Sequence, residues 1–344
     1  MKTRWLAVFV LLAVVMSALT ACGLASGPNS TALVIYTARP KLIAQDVVKA
    51  FEDANAQYKG RVRMLTMGAG EVVERVRAEA NRPQADVWWG GTPQQFGQGV
   101  KAGALTPPRH EIIARVPEQY RGPDDLWLGE MRTAEVIFYN AEMLNPDQAP
   151  RDWDDLAGPA MKGKLLIRDV ASSGTMQGIY SALIGRSFAH TGNPQQGYEF
   201  LRALDRNTKE YVANPSDLYL RIQRQEAPLS IWNLQDVLVQ RDKGAPFVPV
   251  MPASGAPVLL DGVAKINGGP HGVAADVFMG FLLSSATQQM LADRSFQRPT
   301  VDIPTQPAWL AEIGLTEMRV DWPVVNREET GWMDYWVEHI KNSG

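Results

Sequence analysis

Alternating strand and helix patterns begin the folded part of the chain. Residues 32–36 form an almost continuous apolar run, which is typical of a strand buried on both faces of a parallel sheet, and further strands are predicted at 62–66 and 85–89. Apolar residues recur at helical spacing over 41–54 and 71–81, between those strands. This order predicts a parallel sheet with right-handed connections that is covered by helices.

A second set of elements follows an extended run at residues 132–140. The predicted strands are 164–168, 229–232, 248–250 and 258–266, and the predicted helices are 152–156, 176–184, 200–204, 215–224, 233–240, 274–291 and 331–341. We interpret the extended run as the first crossing into a second lobe, and we expect the last two strands to lead back to the first lobe. The predicted fold class is α/β, with two lobes that are each a mostly parallel sheet flanked by helices.

The length of 344 residues also indicates two lobes, because one hydrophobic core rarely serves so long a chain. We expect a hinge of two crossings, near 133–136 and 256–258. The predicted domain bounds are 31–132 with 257–300 for lobe 1, and 133–256 with 301–344 for lobe 2.

The first 22 residues have the pattern of a lipoprotein signal peptide. Lys2 and Arg4 precede a short apolar run at 5–15, and the last four residues are Leu-Thr-Ala-Cys, ending at Cys22. This matches the lipobox of bacterial lipoproteins. We therefore expect a lipid on Cys22, a tether over 23–30, and anchoring at the periplasmic or extracellular face of a membrane. An uncleaved signal anchor with an incidental cysteine is the alternative.

The amino-acid composition excludes several kinds of functional site. Cys22 is the only cysteine, which excludes a disulfide framework, a thiolate metal cluster and a catalytic thiol from the folded part. The chain has 34 Lys and Arg against 37 Asp and Glu, and it would lose two basic residues with the signal peptide. A mildly acidic surface without a basic run argues against nucleic acid as a partner, and we expect a monomer.

Three loops follow the carboxyl ends of the predicted strands of lobe 1. The candidate ligand-binding residues in them are Thr37, Arg39, Gly70, Glu71, Gly91 and Thr92. Ligands of open α/β sheets bind beyond such strand ends, where glycines allow close approach of the backbone and helix N-termini offer free N–H groups. The Arg39 guanidinium is a candidate fork for an anion, with an ordinary solvated arginine as the alternative.

The second lobe offers a polar loop between a strand and a helix, made of Ser172, Ser173, Gly174 and Thr175. Hydroxyls and free N–H groups at a helix N-terminus suit an anion. The alternative is a plain N-cap, in which the hydroxyls only satisfy the helix backbone.

Aromatic and acidic residues add to this cleft. Trp88 and Trp89 end a strand, where alternation lets only one ring face the cleft, and Trp89 is our candidate. Trp232 comes from the opposite lobe, followed by Asn233 and Asp236. A tryptophan in a cleft stacks on a sugar or holds an ammonium group, although packing in a core is the alternative for each ring.

An ordered set of short motifs connects these features. It consists of Tyr36-Thr37, Gly68-x-x-Glu71, Ala85-Asp86-Val87, Trp153-x-x-Leu156, Lys162-Gly163-Lys164, Ser173-Gly174-Thr175 and Phe281-Leu282-Leu283-Ser284. Over nearly all of the chain after the tether, the set resembles the ferric-iron-type family of extracellular solute-binding proteins. The resemblance implies a type II periplasmic-binding-protein fold that closes over its ligand, with the permease and ATPase of an ABC importer as partners.

The sequence departs from the ferric members of that family. Their adjacent tyrosines and their histidine correspond to Leu234-Gln235 and Pro40, and Fe³⁺ prefers anionic oxygen donors. The resemblance to relatives without the tyrosine pair implies instead a small anionic solute that bears phosphate or phosphonate. Asp236 or Glu71 would pair with an amine on such a solute. Ferric iron or an iron chelate, held by the same two carboxylates, is the alternative.

The sequence lacks a recognisable catalytic set. None of the four histidines has metal-ligand spacing, and there is no G-x-S-x-G elbow. Residues 158–164 imitate a phosphate-binding P-loop, but Leu165 stands where Ser or Thr would hold Mg²⁺. We expect a binding protein that is not an enzyme and has no metal or cofactor. A lipoprotein hydrolase and a lipoprotein sensor are the rival classes.

Overall fold

The computed structural model describes residues 31–343, so the predicted signal peptide, Cys22 and the predicted tether lie outside it. The strands are β1 Leu33–Thr37, β2 Val62–Thr66, β3 Val87–Trp89, β4 Leu105–Thr106, β5 Leu128–Asn140, β6 Leu165–Arg168, β7 Thr208–Val212, β8 Leu229–Asn233, β9 Phe247–Val250, β10 Val258–Ile266 and β11 Arg298–Pro299. The helices are α1 Lys41–Ala54, α2 Ala69–Ala78, α3 Pro93–Lys101, α4 His110–Ile113, α5 Gly174–Thr191, α6 Gln195–Asn207, α7 Pro215–Gln223, α8 Leu234–Asp242, α9 Gly272–Leu282, α10 Ser285–Ser295, α11 Ala308–Ile313 and α12 Trp322–His339.

The first lobe is built on β1, with β2 and β3 parallel to it on either side. Strand β10 lies antiparallel to β3 and continues the sheet to β5. Both faces of β1 are buried, because its residues point alternately into two cores. Leu33 and Ile35 pack with α1 and α9, whereas Val34 and Tyr36 pack with Trp88 and Phe96.

Strand β5 is long enough to belong to both lobes. It pairs with β10 up to Ala134, and from Glu135 onwards it pairs with β8, which belongs to the second lobe. The Glu135 N–H donates to the Pro257 carbonyl at 2.8 Å, so the two crossings lie side by side. The second sheet runs β5-β8-β6-β7, with β9 beside β5. Strand β6 is parallel to β7 and β8, so each lobe has a mixed sheet with a parallel part.

The C-terminal segment returns to the second lobe. Val301 packs in the core of the first lobe, whereas Trp309 already belongs to the core of the second. Helix α12 then packs along α5, with the rings of Trp336 and Tyr180 in edge contact at 5.4 Å.

Several predicted bounds need correction. The helix predicted over 274–291 is two helices, because the Ser284 hydroxyl accepts the Thr287 N–H at 3.2 Å and starts a new helix. The last helix begins at Trp322 and not at 331, and the segment predicted as a helix at 152–156 is a 3₁₀ helix over Trp153–Ala157. The elements that were not predicted are α3, α4, α11, β4, β7 and β11. Among the helices within 31–343, none combines the length and the apolar character that a membrane crossing requires.

Candidate ligand-binding cleft

The two lobes touch at places next to the predicted ligand loops. At α5, a Cβ added to Gly174 would lie 2.9 Å from Gln95 Nε2 of the first lobe. Beside it, Gln94 Nε2 donates to Glu329 Oε2 of α12 at 3.0 Å. At α8, Gln235 Nε2 donates to the Ser295 carbonyl at the end of α10, at 2.7 Å. The cleft between these contacts is therefore closed.

Arg39 is held in place by its own loop. The Thr37 hydroxyl accepts the Arg39 N–H at 3.0 Å, and the Arg39 side chain, 4 % exposed, packs beneath Gly90. Gly90 has a φ of 93°, a conformation that other residues rarely adopt. Arg39 Nη2 donates to Gln297 Oε1 at 3.0 Å, and its Nε has no partner within the described residues. The solvated alternative for Arg39 is therefore wrong.

Asp261 on β10 completes this side of the cleft, although the sequence did not identify it. Its carboxylate accepts the Gly91 N–H at 3.0 Å and lies 3.8 Å from Arg39 Nη1. Burial raises the pKa of Asp261 to about 6, while the charge of Arg39 opposes the shift.

In the polar loop of the second lobe, Ser172 and Ser173 have hydrogen-bond partners within the loop and the helix that follows it. Ser173 caps α5 by accepting the Met176 N–H at 3.2 Å, as in the plain N-cap alternative. Ser172 hydrogen-bonds to Asp169 at 2.7 Å and accepts from Arg168, so its hydroxyl already has partners in its own loop. Its exposed side chain is occupied by the residues of its own loop.

Groups that remain available lie at the start of α5. Within residues 31–343, the N–H groups of Gly174 and Thr175 donate to no carbonyl or side chain, and the Thr175 hydroxyl has no hydrogen-bond partner. Thr92 begins α3 across the cleft, and its N–H donates to Gln95 Oε1 at 2.9 Å. The donors at the start of α5 thus lie beside the other lobe.

The loop from β8 to α8 is organised by one carboxylate oxygen. Asp236 Oδ2 accepts from Tyr219 Oη at 2.6 Å, from Trp232 Nε1 at 3.0 Å and from Asn233 Nδ2 at 3.4 Å. Asn233 in turn caps α8, because its Oδ1 accepts the Asp236 N–H at 2.8 Å. Burial raises the pKa of Tyr219 well above its ordinary value, and the charge of Asp236 adds to this shift. Tyr219 had no sequence signal that separated it from a core tyrosine.

Glu135 lies where β5 passes from one lobe to the other. It is completely buried, and neither of its carboxylate oxygens accepts a hydrogen bond from the described residues. Burial raises its pKa well above the ordinary value, the charges of Asp236 and Asp261 add to the shift, and the nearby Thr133 hydroxyl opposes it. Glu135 has no sequence feature that distinguishes it from the rest of the extended run at 132–140.

Trp89 does not face the cleft, whereas Gly70 and Glu71 lie at an exposed helix start and stay predictions. Trp89 is fully buried and packs against Phe278, because β3 is an inner strand with a core on each face, so its prediction as a cleft aromatic is wrong. Glu71 is exposed in the first turn of α2 without a partner among the described residues, and Gly70 beside it has open space around it. Within 31–343 no group of three His, Cys, Asp or Glu is arranged to hold a metal.

Comparisons with known proteins agree with this architecture. Residues 32–297 match the model of the family described as bacterial extracellular solute-binding protein. A putative 2-aminoethylphosphonate-binding periplasmic protein of Salmonella typhimurium is 25 % identical over 246 residues, which cover 69 % of each chain. Iron uptake protein A1 of Synechocystis is 25 % identical over 255 residues, covering 70 % of this chain and 69 % of the other.

A solved structure is similar over almost its whole length. The periplasmic binding protein AfuA from Actinobacillus pleuropneumoniae, with exogenous fructose-6-phosphate bound, superposes with a TM-score of 0.79 at 25 % identity. The match covers 90 % of this chain and 99 % of the other. The two-lobed periplasmic-binding-protein fold predicted from the sequence is therefore confirmed.

Proposed function

Because the chain belongs to the family of bacterial extracellular solute-binding proteins, we propose that its cleft captures a small organic solute that bears phosphate or phosphonate, for delivery to an ABC importer. The observation that carries this proposal is the start of α5, where the N–H groups of Gly174 and Thr175 and the Thr175 hydroxyl have no other partner within residues 31–343. Oriented N–H groups at a helix N-terminus favour anionic oxygen. The aminoethylphosphonate and fructose-6-phosphate relatives support the same ligand class.

Capture proceeds by closure of the lobes about the two crossings near 133–136 and 256–258. The ligand binds loops of both lobes, so its affinity for the closed form exceeds its affinity for the open form and shifts the equilibrium. In the first lobe the contacts come from Arg39, Gly91 and Thr92. In the second lobe they come from Thr175 and from the loop that Asp236 organises.

The location follows from the N-terminal sequence. Signal cleavage before Cys22, a lipid on its thiol and the tether at 23–30 hold the protein as a monomer at the outer face of the membrane, where it presents its ligand to the permease. The protein binds its ligand without transforming it.

The test compares two hydroxyl variants of one loop by titration calorimetry on the unlipidated chain. The ligands are 2-aminoethylphosphonate, fructose 6-phosphate and ferric citrate. Thr175→Val should weaken the phosphate or phosphonate ligand by about 1–3 kcal/mol, because a buried oxygen loses its donor. Ser172→Ala is the control and should leave affinity unchanged, since its hydroxyl is bound to Asp169. Binding of ferric citrate alone, or affinity indifferent to Thr175→Val, would refute the proposal.

A further inference from the structure

Glu135 is an unpaired acid at the junction of the lobes. It is the first residue of β5 that pairs with the second lobe, opposite Asn233, and its side chain is completely buried. A buried carboxylate normally has hydrogen-bond donors around it, because its desolvation is costly. Within residues 31–343, neither oxygen of Glu135 has a hydrogen bond of good geometry, and the Thr133 hydroxyl is the polar group that favours its charged form. The fold therefore maintains a buried acid here with little internal compensation.

The surroundings of Glu135 are acidic. Its backbone lies opposite Asn233, whose loop is organised by Asp236, and the charges of Asp236 and Asp261 both act on it. Within residues 31–343, the Arg39 guanidinium beside Asp261 is already shared between Gln297 and Asp261. Three carboxyl groups are thus placed near the crossing of the lobes, and the cation beside them is engaged.

Glu135 and the start of α5 both lie where the second lobe meets the first. The free N–H groups of Gly174 and Thr175 suit a phosphate or phosphonate, whereas a carboxylate would repel it. A ligand that satisfies both ends carries opposite charges on two separate groups. The charge-assisted hydrogen bonds that Glu135 lacks would then come from the ligand.

We propose that Glu135 is a ligand-binding residue that pairs with a protonated amine, and that the natural ligand is an amine-bearing phosphonate or phosphate ester. This rests on the proposed function, since it assigns the second end of the same ligand. Glu135 lowers the affinity for phosphate esters that lack an amine, because the buried carboxyl then stays unpaired in the complex. Asp236 supports it from the second lobe through the oxygen that is not held by Tyr219.

The experiment measures the affinity of two ligands of nearly equal size, 2-aminoethylphosphonate and propylphosphonate, by titration calorimetry. The wild-type protein should prefer the amine by about tenfold or more, as expected for a charge-assisted bond. Glu135→Gln should abolish the preference by weakening the amine ligand, while the affinity for propylphosphonate stays the same. Its ligand-free melting temperature should be unchanged or higher, because an unpaired buried carboxyl is removed.

A matched control lies five residues earlier on the same strand. Glu130 is also completely buried, but its Oε1 accepts from Gln297 at 2.6 Å and from Gln288 at 3.3 Å. Glu130→Gln should keep the preference for the amine ligand.

The outcomes separate this proposal from the proposed function. Equal affinity of the wild-type protein for both phosphonates, or binding of fructose 6-phosphate alone, overturns the role of Glu135 and leaves the function intact. Binding of none of the three overturns both. If Glu135→Gln weakens the binding of both phosphonates equally and lowers the melting temperature, Glu135 has a structural role. If the variant keeps the preference for 2-aminoethylphosphonate, the wild-type carboxyl acts as a neutral donor. Either result refutes the pairing with an amine.

Discussion

Gly174 is the position where closure of the lobes can be tested by adding one methyl group. In Gly174→Ala, the new Cβ would lie 2.9 Å from Gln95 Nε2, 3.1 Å from its Cδ and 3.2 Å from its Oε1. All three atoms belong to the opposite lobe, so we expect the overlap to arise only when the lobes are closed.

The expected loss of ligand affinity can be worked out from the hydrogen bond that Gln95 loses when it moves. Non-bonded carbon contacts need about 3.5–4.0 Å, so the amide has to move away. Its Oε1 accepts the Thr92 N–H at 2.9 Å, and loss of that bond costs about 0.5–1.5 kcal/mol. Because the cost is confined to the closed form, we expect ligand affinity to fall by about 3- to 10-fold.

The assay is titration calorimetry with the phosphonate or phosphate ligand that the wild-type protein binds, together with small-angle scattering with and without that ligand. Gly97→Ala in α3 is the control, since nothing lies within 4 Å of the added Cβ, and it should leave affinity unchanged. In the Gln95→Ala background, Gly174→Ala should have no further effect. An undiminished effect in that background would refute the steric reasoning, and so would unchanged affinity of the single variant.

Three further predictions concern stability, measured by denaturant unfolding. Burial raises the pKa of Glu329 to about 8, so between pH 5 and pH 8 the native state binds more protons than the unfolded chain, and the free energy of unfolding falls as pH rises. Glu329→Gln should remove on the order of 3 kcal/mol of that loss. The same pH dependence of stability in the wild-type protein and the variant would contradict this. Gly197→Ala in α6 would put a Cβ 2.6 Å from Ile184 Cα in α5 and should destabilise the protein by about 1–3 kcal/mol. An unchanged denaturation midpoint would show that α5 and α6 can move apart without cost. Tyr219→Phe removes the 2.6 Å bond to Asp236 and should cost about 1–3 kcal/mol, so an unaltered free energy of unfolding would mean that the bond is unimportant.

Local patterns predicted the elements well where one pattern runs without interruption. The helix at Lys41–Ala54 and the strand at Val258–Ile266 have the predicted bounds. The pattern failed at 274–291, because the apolar positions continue through two helices that pack on one core and conceal the cap at Ser284. It also failed for Trp89, since alternation assigns faces of a strand but does not say that both faces are covered.

The candidate site was predicted only in part, for a related reason. Loops at strand ends are visible in the sequence, and the structure brings Arg39 and Gly91 together on Asp261. Residues within the hinge strands have no comparable sequence signal. Glu135 and Asp261 lie inside extended segments, and their place beside the cleft becomes apparent only when the pairing of their strands is known.

The fold class and the family followed from the sequence, because an ordered set of local motifs and periodicities is enough to specify a two-lobed α/β chain. The charges near the cleft could be identified only from the packed structure. Arg39 and Asp261 are distant in the chain and form an ion pair, and the register of β5 with β8 and β10 places Glu135 where the charges of Asp236 and Asp261 act on it. Local periodicity does not specify contacts at such separation, since they depend on how complete elements pack.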